Sequence, residues 1–170
     1  AYYIICPAEV SSNLARYDGQ RFGYSDDKAT NLDESYELSR EHGFGAEAKR
    51  RIMIGAHVLS SGYYDAYYKK AQTVRTKVRK EFDQAFSKYN FLIGPTAPMT
   101  AFKIGERSGD PLQMYLSDIM TVAANISGNP AISLPAGEAE GLPVGVQLIG
   151  GYKNDRDLLA AAKAYERIAA

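Results

Sequence analysis

The sequence predicts a helix-rich α/β protein, and three observations support this class. Several long segments place apolar residues three or four positions apart, which is typical of helices that bury one face. Short apolar runs beside proline or glycine are typical of buried strands. The order in the second half is helix, tight turn, strand, loop, strand. Because three short strands make a thin sheet for so many apolar helix faces, we expect further strands from outside these 170 residues.

The first half of the chain is predicted to be helical, with glycines at the breaks. The predicted helices cover residues 3–17, 31–42, 46–60 and 64–89, the last being the longest. Pro7 should lie in or near the first turn of its helix, because a later proline would interrupt the hydrogen-bond ladder. Asn31 followed by Glu34 matches a capping box, which places the beginning of the second helix.

The second half is organised around the stretch from Asp118 to Gly150. Its helix should begin at Asp118 or Ser117, either of which can act as the N-cap, and end at Gly128. Strands are predicted over residues 91–93, 131–134 and 144–149, and further helices over residues 111–116 and 155–169. Because proline has no backbone N–H, the prolines beside these runs are expected outside the strands. They are Pro95, Pro130, Pro135 and Pro143.

Composition bounds the class of protein. A chain of 170 residues is expected to form one domain over residues 1–170. Twenty basic and twenty acidic side chains balance, so total charge does not favour nucleic-acid binding. The single Cys6 excludes an internal disulfide. No apolar run approaches the roughly 20 residues of a membrane span. The chain opens on Ala1 without an initiator Met, so we expect it to be a piece of a longer protein.

The residues alone name no nucleophile, metal site or phosphate loop. His42 and His57 lie on predicted helices without a ligand partner at a suitable spacing, so structural roles are favoured. Cys6 has no activating partner, and core packing is the better interpretation. The stretch from Lys69 to Lys80 holds six basic residues and no acidic one. It could form a tRNA or partner surface, although a solvated helix face is the more usual arrangement.

Several blocks of sequence, in order, resemble the amidase signature family. The run Asp118…Thr121…Asn125…Gly128…Pro130…Ser133…Pro135…Gly137 and then Gly141-Leu-Pro-Val-Gly-Val-Gln147 is similar to the C-terminal half of that family. Other blocks resemble the A subunits of bacterial and organellar tRNA-dependent amidotransferases, which amidate Glu-tRNA(Gln) or Asp-tRNA(Asn). These blocks are residues 11–19, 43–45, 49–52, 60–70 and 94–98. The resemblance covers nearly the whole chain, and it is highly specific because several long blocks match in order.

This resemblance implies a fold and a substrate site. The expected fold is the C-terminal part of the amidase signature fold, a mixed sheet covered by helices that is incomplete without its N-terminal half. The family's Ser–cis-Ser–Lys triad belongs to that half, so no catalytic residue is assigned to this chain. Arg51, Asp118 and Tyr2 are expected to hold glutamine, since a guanidinium suits its α-carboxylate and a carboxylate its α-ammonium. Without the resemblance, Arg51 would be a surface helix residue and Asp118 an N-cap.

The resemblance also implies partners and a location. The A subunit would hydrolyse glutamine and pass ammonia to a B subunit, which uses ATP and Mg²⁺ to activate the aminoacyl-tRNA, while a small C subunit assists. No cofactor or metal is expected on this chain, no membrane is expected, and the location would be the bacterial cytoplasm or an organelle. The alternatives are another amidase acting on a simple amide, and a non-catalytic module that binds a partner. The choice between Glu-tRNA and Asp-tRNA stays open.

Overall fold

The computed structural model describes residues 1–107 and 109–169, and it confirms the helix-rich α/β class. The helices are α1 (Tyr2–Leu14), α2 (Leu32–Gly43), α3 (Ala46–Leu59), α4 (Lys70–Phe86), α5 (Pro111–Leu116), α6 (Ile119–Ser127) and α7 (Asp155–Ala169). The strands are β1 (Phe91–Pro95), β2 (Ala131–Ala139) and β3 (Leu142–Gly150). The chain divides into two compact units, Ala1–Val74 and Arg75–Ala170. A single domain over residues 1–170 stays a prediction.

In the first unit, α1 packs against α3 through a close approach of their backbones. A side chain at Gly55 would overlap the carbonyl oxygen of Pro7, so this contact requires glycine. Pro7 is the sixth residue of α1, deeper in the helix than predicted. Because proline has no N–H to offer the Tyr3 carbonyl, the helix loses one bond there. The packing of buried Ile5 and Ala8 stabilises the helix despite that loss.

The N-terminus of α2 is capped as the sequence predicts, with one difference. The Asn31 side chain accepts a hydrogen bond of 2.9 Å from the backbone N–H of Glu34. The Glu34 carboxylate reaches back to the backbone N–H and the hydroxyl of Thr30, at 2.7 and 2.6 Å. The return bond therefore goes to the residue before the N-cap, which fixes the path of the loop into the helix.

A buried carboxylate ties the preceding loop to α2. The Asp26 side chain is only 2% exposed. Its oxygens lie 2.6 Å from His42 Nδ1 and 3.2 Å from the Tyr24 hydroxyl, and they accept a 2.9 Å bond from the Lys28 N–H. The backbone N–H of Asp26 donates to the Ser39 hydroxyl at 3.0 Å. His42 thus has a structural partner, in agreement with the structural role favoured for it from the sequence.

Replacing Asp26 by Asn is expected to lower the melting temperature near neutral pH. It should also make the melting temperature change less as the pH is lowered into the acid range. The hydrogen bond from His42, followed by that from the Lys28 N–H, holds the pKa of Asp26 below its ordinary value of 3.8. A carboxylate whose pKa is lower in the folded state stabilises the fold at pH values above its ordinary pKa. This contribution is lost as the pH falls through the pKa of the folded state. Thermal unfolding of the intact protein across the acid range measures it. Asp27→Asn removes a charge from the exposed neighbour, and an equal effect there would contradict the assignment.

The predicted long helix over residues 64–89 is divided in the structure. It begins as a π-helical segment, Tyr64–Lys69, and continues as α4. Within this stretch Ala71 is buried, whereas Tyr67 and Val74 are 46% and 45% exposed. The apolar positions spaced three or four apart along this stretch are therefore covered only in part by the described residues.

The second unit contains a three-stranded antiparallel sheet in the order β1-β3-β2. Glu140 and Gly141 form the two-residue turn between β2 and β3, and both have positive φ, 56° and 73°. Such values are typical of a type I′ hairpin turn. The helix, strand, loop, strand order predicted for this region is confirmed.

The strands are longer than predicted because they include the flanking prolines. Pro95 ends β1, Pro135 lies within β2, and Pro143 is the second residue of β3. The prediction that these three prolines lie outside the strands was wrong. β1 and β2 are edge strands, where a missing N–H is tolerated, and the pairing of β2 is irregular between Pro135 and Glu138. Pro143 lies in the part of β3 that pairs with β2 alone, because the pairing of β3 with β1 begins only at Val146.

The core of the described residues is small. In the second unit, α7 packs on β2 and β3 and buries Leu158 and Ala162. Across residues 1–107 and 109–169, no large side chain is buried completely. Several large apolar side chains are exposed instead, among them Ile93 of β1 at 65%. The expectation of further strands stays a prediction.

Candidate functional site

Asp118 stands at the beginning of α6 but does not cap it. Its φ and ψ are −95° and −1°, its side chain is exposed, and it accepts no cap hydrogen bond. A capping side chain needs an extended N-cap backbone to reach the first turn, and the turn from α5 into α6 prevents this. Ser117 donates instead to the Gln113 carbonyl at 3.2 Å. The predicted cap by Asp118 or Ser117 was therefore wrong, and the Asp118 carboxylate lies exposed at the positive end of a helix dipole.

The helix that carries Asp118 is held at both ends. At its first turn, Gln147 Nε2 donates to the Met120 carbonyl at 2.7 Å and to the Pro95 carbonyl at 3.0 Å. At its last turn, Arg75 Nε donates to the Ile126 carbonyl at 3.0 Å. Gly128 then ends the helix in the left-handed conformation, as the sequence predicts. Gln147 thus joins α6 to the sheet, and Arg75 joins it to α4.

A polar groove of about 490 Å³ lies between α6 and the sheet. Its lining is rich in hydroxyl and amide groups, contributed by Thr96, Thr121, Asn125, Asn129, Ser133 and Gln147. The hydroxyls of Thr96 and Ser133 bond each other at 2.9 Å across Gly145. No general base takes part in that bond, so it joins β2 to the end of β1 and does not activate a nucleophile. The lining also includes Lys153 and Asp155, so the groove can bind a polar or charged group.

Arg51 lies on α3 in the first unit, and its side chain is 27% exposed. Its Nε donates to Glu47 at 2.9 Å, one helical turn earlier. The other oxygen of Glu47 lies 2.7 Å from Arg50 Nη1, so one carboxylate holds two guanidinium groups. This arrangement orients Arg51 along its helix. An incoming carboxylate would add to the Glu47 contact or replace it.

Tyr2 is the first residue of α1, and its ring contacts Tyr3 edge-on with centroids 5.1 Å apart. The helices α1 and α3 run antiparallel, because Ser11 meets Gly55 while Leu14 lines a groove with Ile52. Counted from the Ser11–Gly55 contact at 1.5 Å per residue, Tyr2 and Arg51 lie about 20 Å apart along the helix axes. Both side chains are long, so a ligand of amino-acid size could contact both only by lying between them.

The three predicted glutamine contacts are distributed over the two units. Tyr2 and Arg51 belong to one packed helix pair in the first unit, and Asp118 begins α6 in the second. Their joint role as a glutamine site stays a prediction.

Two anchoring contacts of this region were not predicted from the sequence. Gln147 interrupts an apolar strand, and a polar residue in such a run signals a buried hydrogen-bond donor. Arg75 belongs to the basic stretch from Lys69 to Lys80, as does Arg79. The guanidinium carbon of Arg79 lies 5.8 Å from the centroid of the Tyr152 ring. In the same stretch Lys69 pairs with Asp65 at 3.4 Å. At least three of the six basic residues therefore have partners among the described residues, and a tRNA or partner surface on this stretch stays a prediction.

Metal-ligand clusters and membrane-spanning helices are both absent from the described residues. Over residues 1–107 and 109–169, no three His, Cys, Asp or Glu side chains are grouped as metal ligands would be. In the same residues, no helix has the length and apolar character needed to cross a membrane.

Comparisons with known proteins agree on one family. A family model described as Amidase matches residues 1–159. The A subunit of glutamyl-tRNA(Gln) amidotransferase from Geobacillus kaustophilus is 54% identical over 166 residues, which are 98% of this chain and 34% of that protein. The A subunit from Caldanaerobacter subterraneus is 57% identical over 167 residues, again 98% of this chain and 34% of that protein. The chain therefore spans about a third of the length of these relatives.

Solved structures support the same fold. The crystal structure of the glutamyl-tRNA(Gln) amidotransferase A subunit from Thermotoga maritima superposes with a TM-score of 0.60 at 38% identity, covering 97% of this chain and 38% of that one. A bacterial aryl acylamidase of the amidase signature family gives a TM-score of 0.62 at 24% identity, over 95% of this chain and 32% of that one. The second match supports the fold alone.

These findings confirm the resemblance seen in the sequence. The matched residues include the whole unit of α6, β2 and β3 together with Tyr2, Arg51 and Asp118. The identity to amidotransferase A subunits extends over nearly the whole chain. The chain belongs to the amidase family.

Proposed function

We propose that this chain is the C-terminal part of the glutaminase (A) subunit of a tRNA-dependent amidotransferase. The whole subunit hydrolyses glutamine, and the released ammonia converts Glu-tRNA(Gln) or Asp-tRNA(Asn) to Gln-tRNA(Gln) or Asn-tRNA(Asn). The observation that carries this proposal is the identity of 54–57% to amidotransferase A subunits over 98% of the chain. The nucleophile and its lysine come from the part of the subunit outside these residues.

In this proposal the chain contributes recognition of the amino-acid head group. Glutamine carries an α-ammonium, an α-carboxylate and the amide that reacts. The Asp118 carboxylate binds the ammonium, the Arg51 guanidinium binds the carboxylate, and Tyr2 is the third substrate contact. The exposure of Asp118 and its lack of a cap bond support this role, because the helix does not use that charge for capping. Recognition of the unreacting end of the substrate places the amide for attack.

The partners follow from the same proposal. A B subunit uses ATP and Mg²⁺ to activate the aminoacyl-tRNA and consumes the ammonia, and a small C subunit completes the heterotrimer. No residue of this chain is assigned to ATP, Mg²⁺ or another cofactor. Aminoacyl-tRNA reaches the chain only through the complex. The complex serves protein biosynthesis in the bacterial cytoplasm or an organelle.

Reconstitution tests the proposed function. The full-length protein that contains this chain is combined with B and C subunits, ATP, Mg²⁺ and misacylated Glu-tRNA(Gln) or Asp-tRNA(Asn). We expect glutamine to drive amidation of at least one of them. Hydrolysis of simple amides without any glutamine-driven amidation would favour the alternative of an amidase that acts on a simple amide. Absence of both activities in the folded, assembled protein would favour a non-catalytic binding module.

A further inference from the structure

The buried side chain of Gln147 joins three elements of the second unit. Gln147 lies in the central strand β3, paired with Gly94 of β1 and Ser133 of β2, and it is only 6% exposed. Its Nε2 group donates to the carbonyl of Pro95 at the end of β1 and to the carbonyl of Met120 in α6. Two carbonyl acceptors require the amide nitrogen, so the orientation of the carboxamide follows from its partners.

The bond to Met120 lies next to the proposed glutamine contact. Met120 is the second residue of α6, and Asp118 directly precedes that helix. The Asp118 carbonyl accepts from Thr121 and Val122, at 3.0 and 3.2 Å, so its backbone belongs to the same first turn. The Asp118 side chain makes no cap bond that would fix it locally. The position of its carboxylate therefore depends on how the first turn of α6 is held against the sheet.

We propose that Gln147 is a positioning residue for Asp118. Its carboxamide holds the first turn of α6 on β3 and so places the Asp118 carboxylate for the α-ammonium of an amino-acid substrate. This inference rests on the function proposed above. It goes beyond that function because it assigns substrate discrimination to a residue outside the three predicted glutamine contacts.

A substitution that displaces Asp118 should have a different effect from a substitution that only destabilises the fold. Loss of a neutral hydrogen bond in a buried site destabilises the fold wherever the bond lies. Only a bond that acts through Asp118 also changes recognition of the α-ammonium. A small displacement of a charged partner weakens binding, because hydrogen bonds depend steeply on distance and angle. Substitution of Gln147 should therefore raise KM for glutamine. It should have no further effect in a variant whose Asp118 has already lost its charge.

A double-mutant cycle in the full-length, assembled enzyme tests the inference. Gln147→Met removes both donors and keeps a similar volume in an unbranched side chain. We expect KM for glutamine to rise roughly three- to tenfold, with ammonia-driven amidation unchanged. We also expect Asp118→Asn and the Asp118→Asn/Gln147→Met double variant to use glutamine equally poorly, because residues that act through one contact are not additive.

A matched control removes the anchor at the other end of the same helix. Arg75→Met deletes the bond to the Ile126 carbonyl and should lower the melting temperature without changing KM for glutamine. Multiplicative losses in the double variant, or an unchanged KM in Gln147→Met while Asp118→Asn is impaired, would overturn the positioning role and leave the proposed function intact. No effect of Asp118→Asn would overturn both. If Gln147→Met does not fold, the shorter amide of Gln147→Asn carries the same comparison.

Discussion

In the full-length enzyme, Asp118→Asn and Arg51→Lys are each expected to reduce glutamine-dependent kcat/KM by at least about tenfold. Asp118→Asn keeps the shape of the side chain and removes the charge that binds the α-ammonium. Arg51→Lys keeps the charge and removes the planar pair of donors that suits a carboxylate. Amidation driven by free ammonia should survive in both, since it bypasses glutamine. Parallel assays with glutamine and with ammonium salt measure the difference.

The structure offers matched controls for both substitutions. Arg50 shares Glu47 with Arg51, so Arg50→Lys should leave glutamine use unchanged. Asp110 truly caps α5, through bonds of 2.9 and 3.2 Å from the N–H groups of Leu112 and Gln113. Asp110→Ala should therefore lower the melting temperature, whereas Asp118→Asn should not. Unchanged glutamine use in a folded Asp118→Asn enzyme would refute the clamp. Loss of both glutamine- and ammonia-driven activity would indicate a role in folding or assembly.

The 170-residue chain alone is expected to release no ammonia from glutamine. Binding without a nucleophile gives no covalent step, and the described hydrogen bond of the Thr96 and Ser133 hydroxyls is to each other and not to a general base. The measurement is ammonia release by the purified chain against a buffer blank, with the full-length protein as the positive control. A Ser133→Ala variant identifies any contribution from that pair. Glutamine hydrolysis by the wild-type chain above the blank would contradict the assignment of catalysis to residues outside it.

Local signals in the sequence predicted much of the fold. The Asn31 cap and the stop at Gly128 depend on neighbouring residues only, so both agree with the structure. The strand ends were predicted wrongly because they depend on the tertiary structure and not on neighbouring residues. Whether Pro135 can lie within a strand depends on whether that strand is at an edge, and edge position is a tertiary property.

Neighbouring residues alone could not predict the candidate site. Arg51, Asp118 and Tyr2 were named through family resemblance, because no local pattern distinguishes a substrate-binding charge from a helix cap or an ion pair. The capping role of Asp118 failed because the preceding α5 sets its backbone angles. The contacts of Gln147 join β1, β3 and α6, residues 27 and 52 positions apart in sequence, and only folding brings them together.

The most direct test of the proposed amino-acid clamp compares glutamine with glutaramate, which is glutamine without its α-amino group. The measured quantity is the ratio of kcat/KM for ammonia release from the two compounds, in the full-length enzyme and in Asp118→Asn. We expect the wild-type enzyme to prefer glutamine by at least about tenfold and Asp118→Asn to lose most of this preference. A wild-type enzyme that uses both compounds equally, or a preference that Asp118→Asn retains in full, would contradict the clamp.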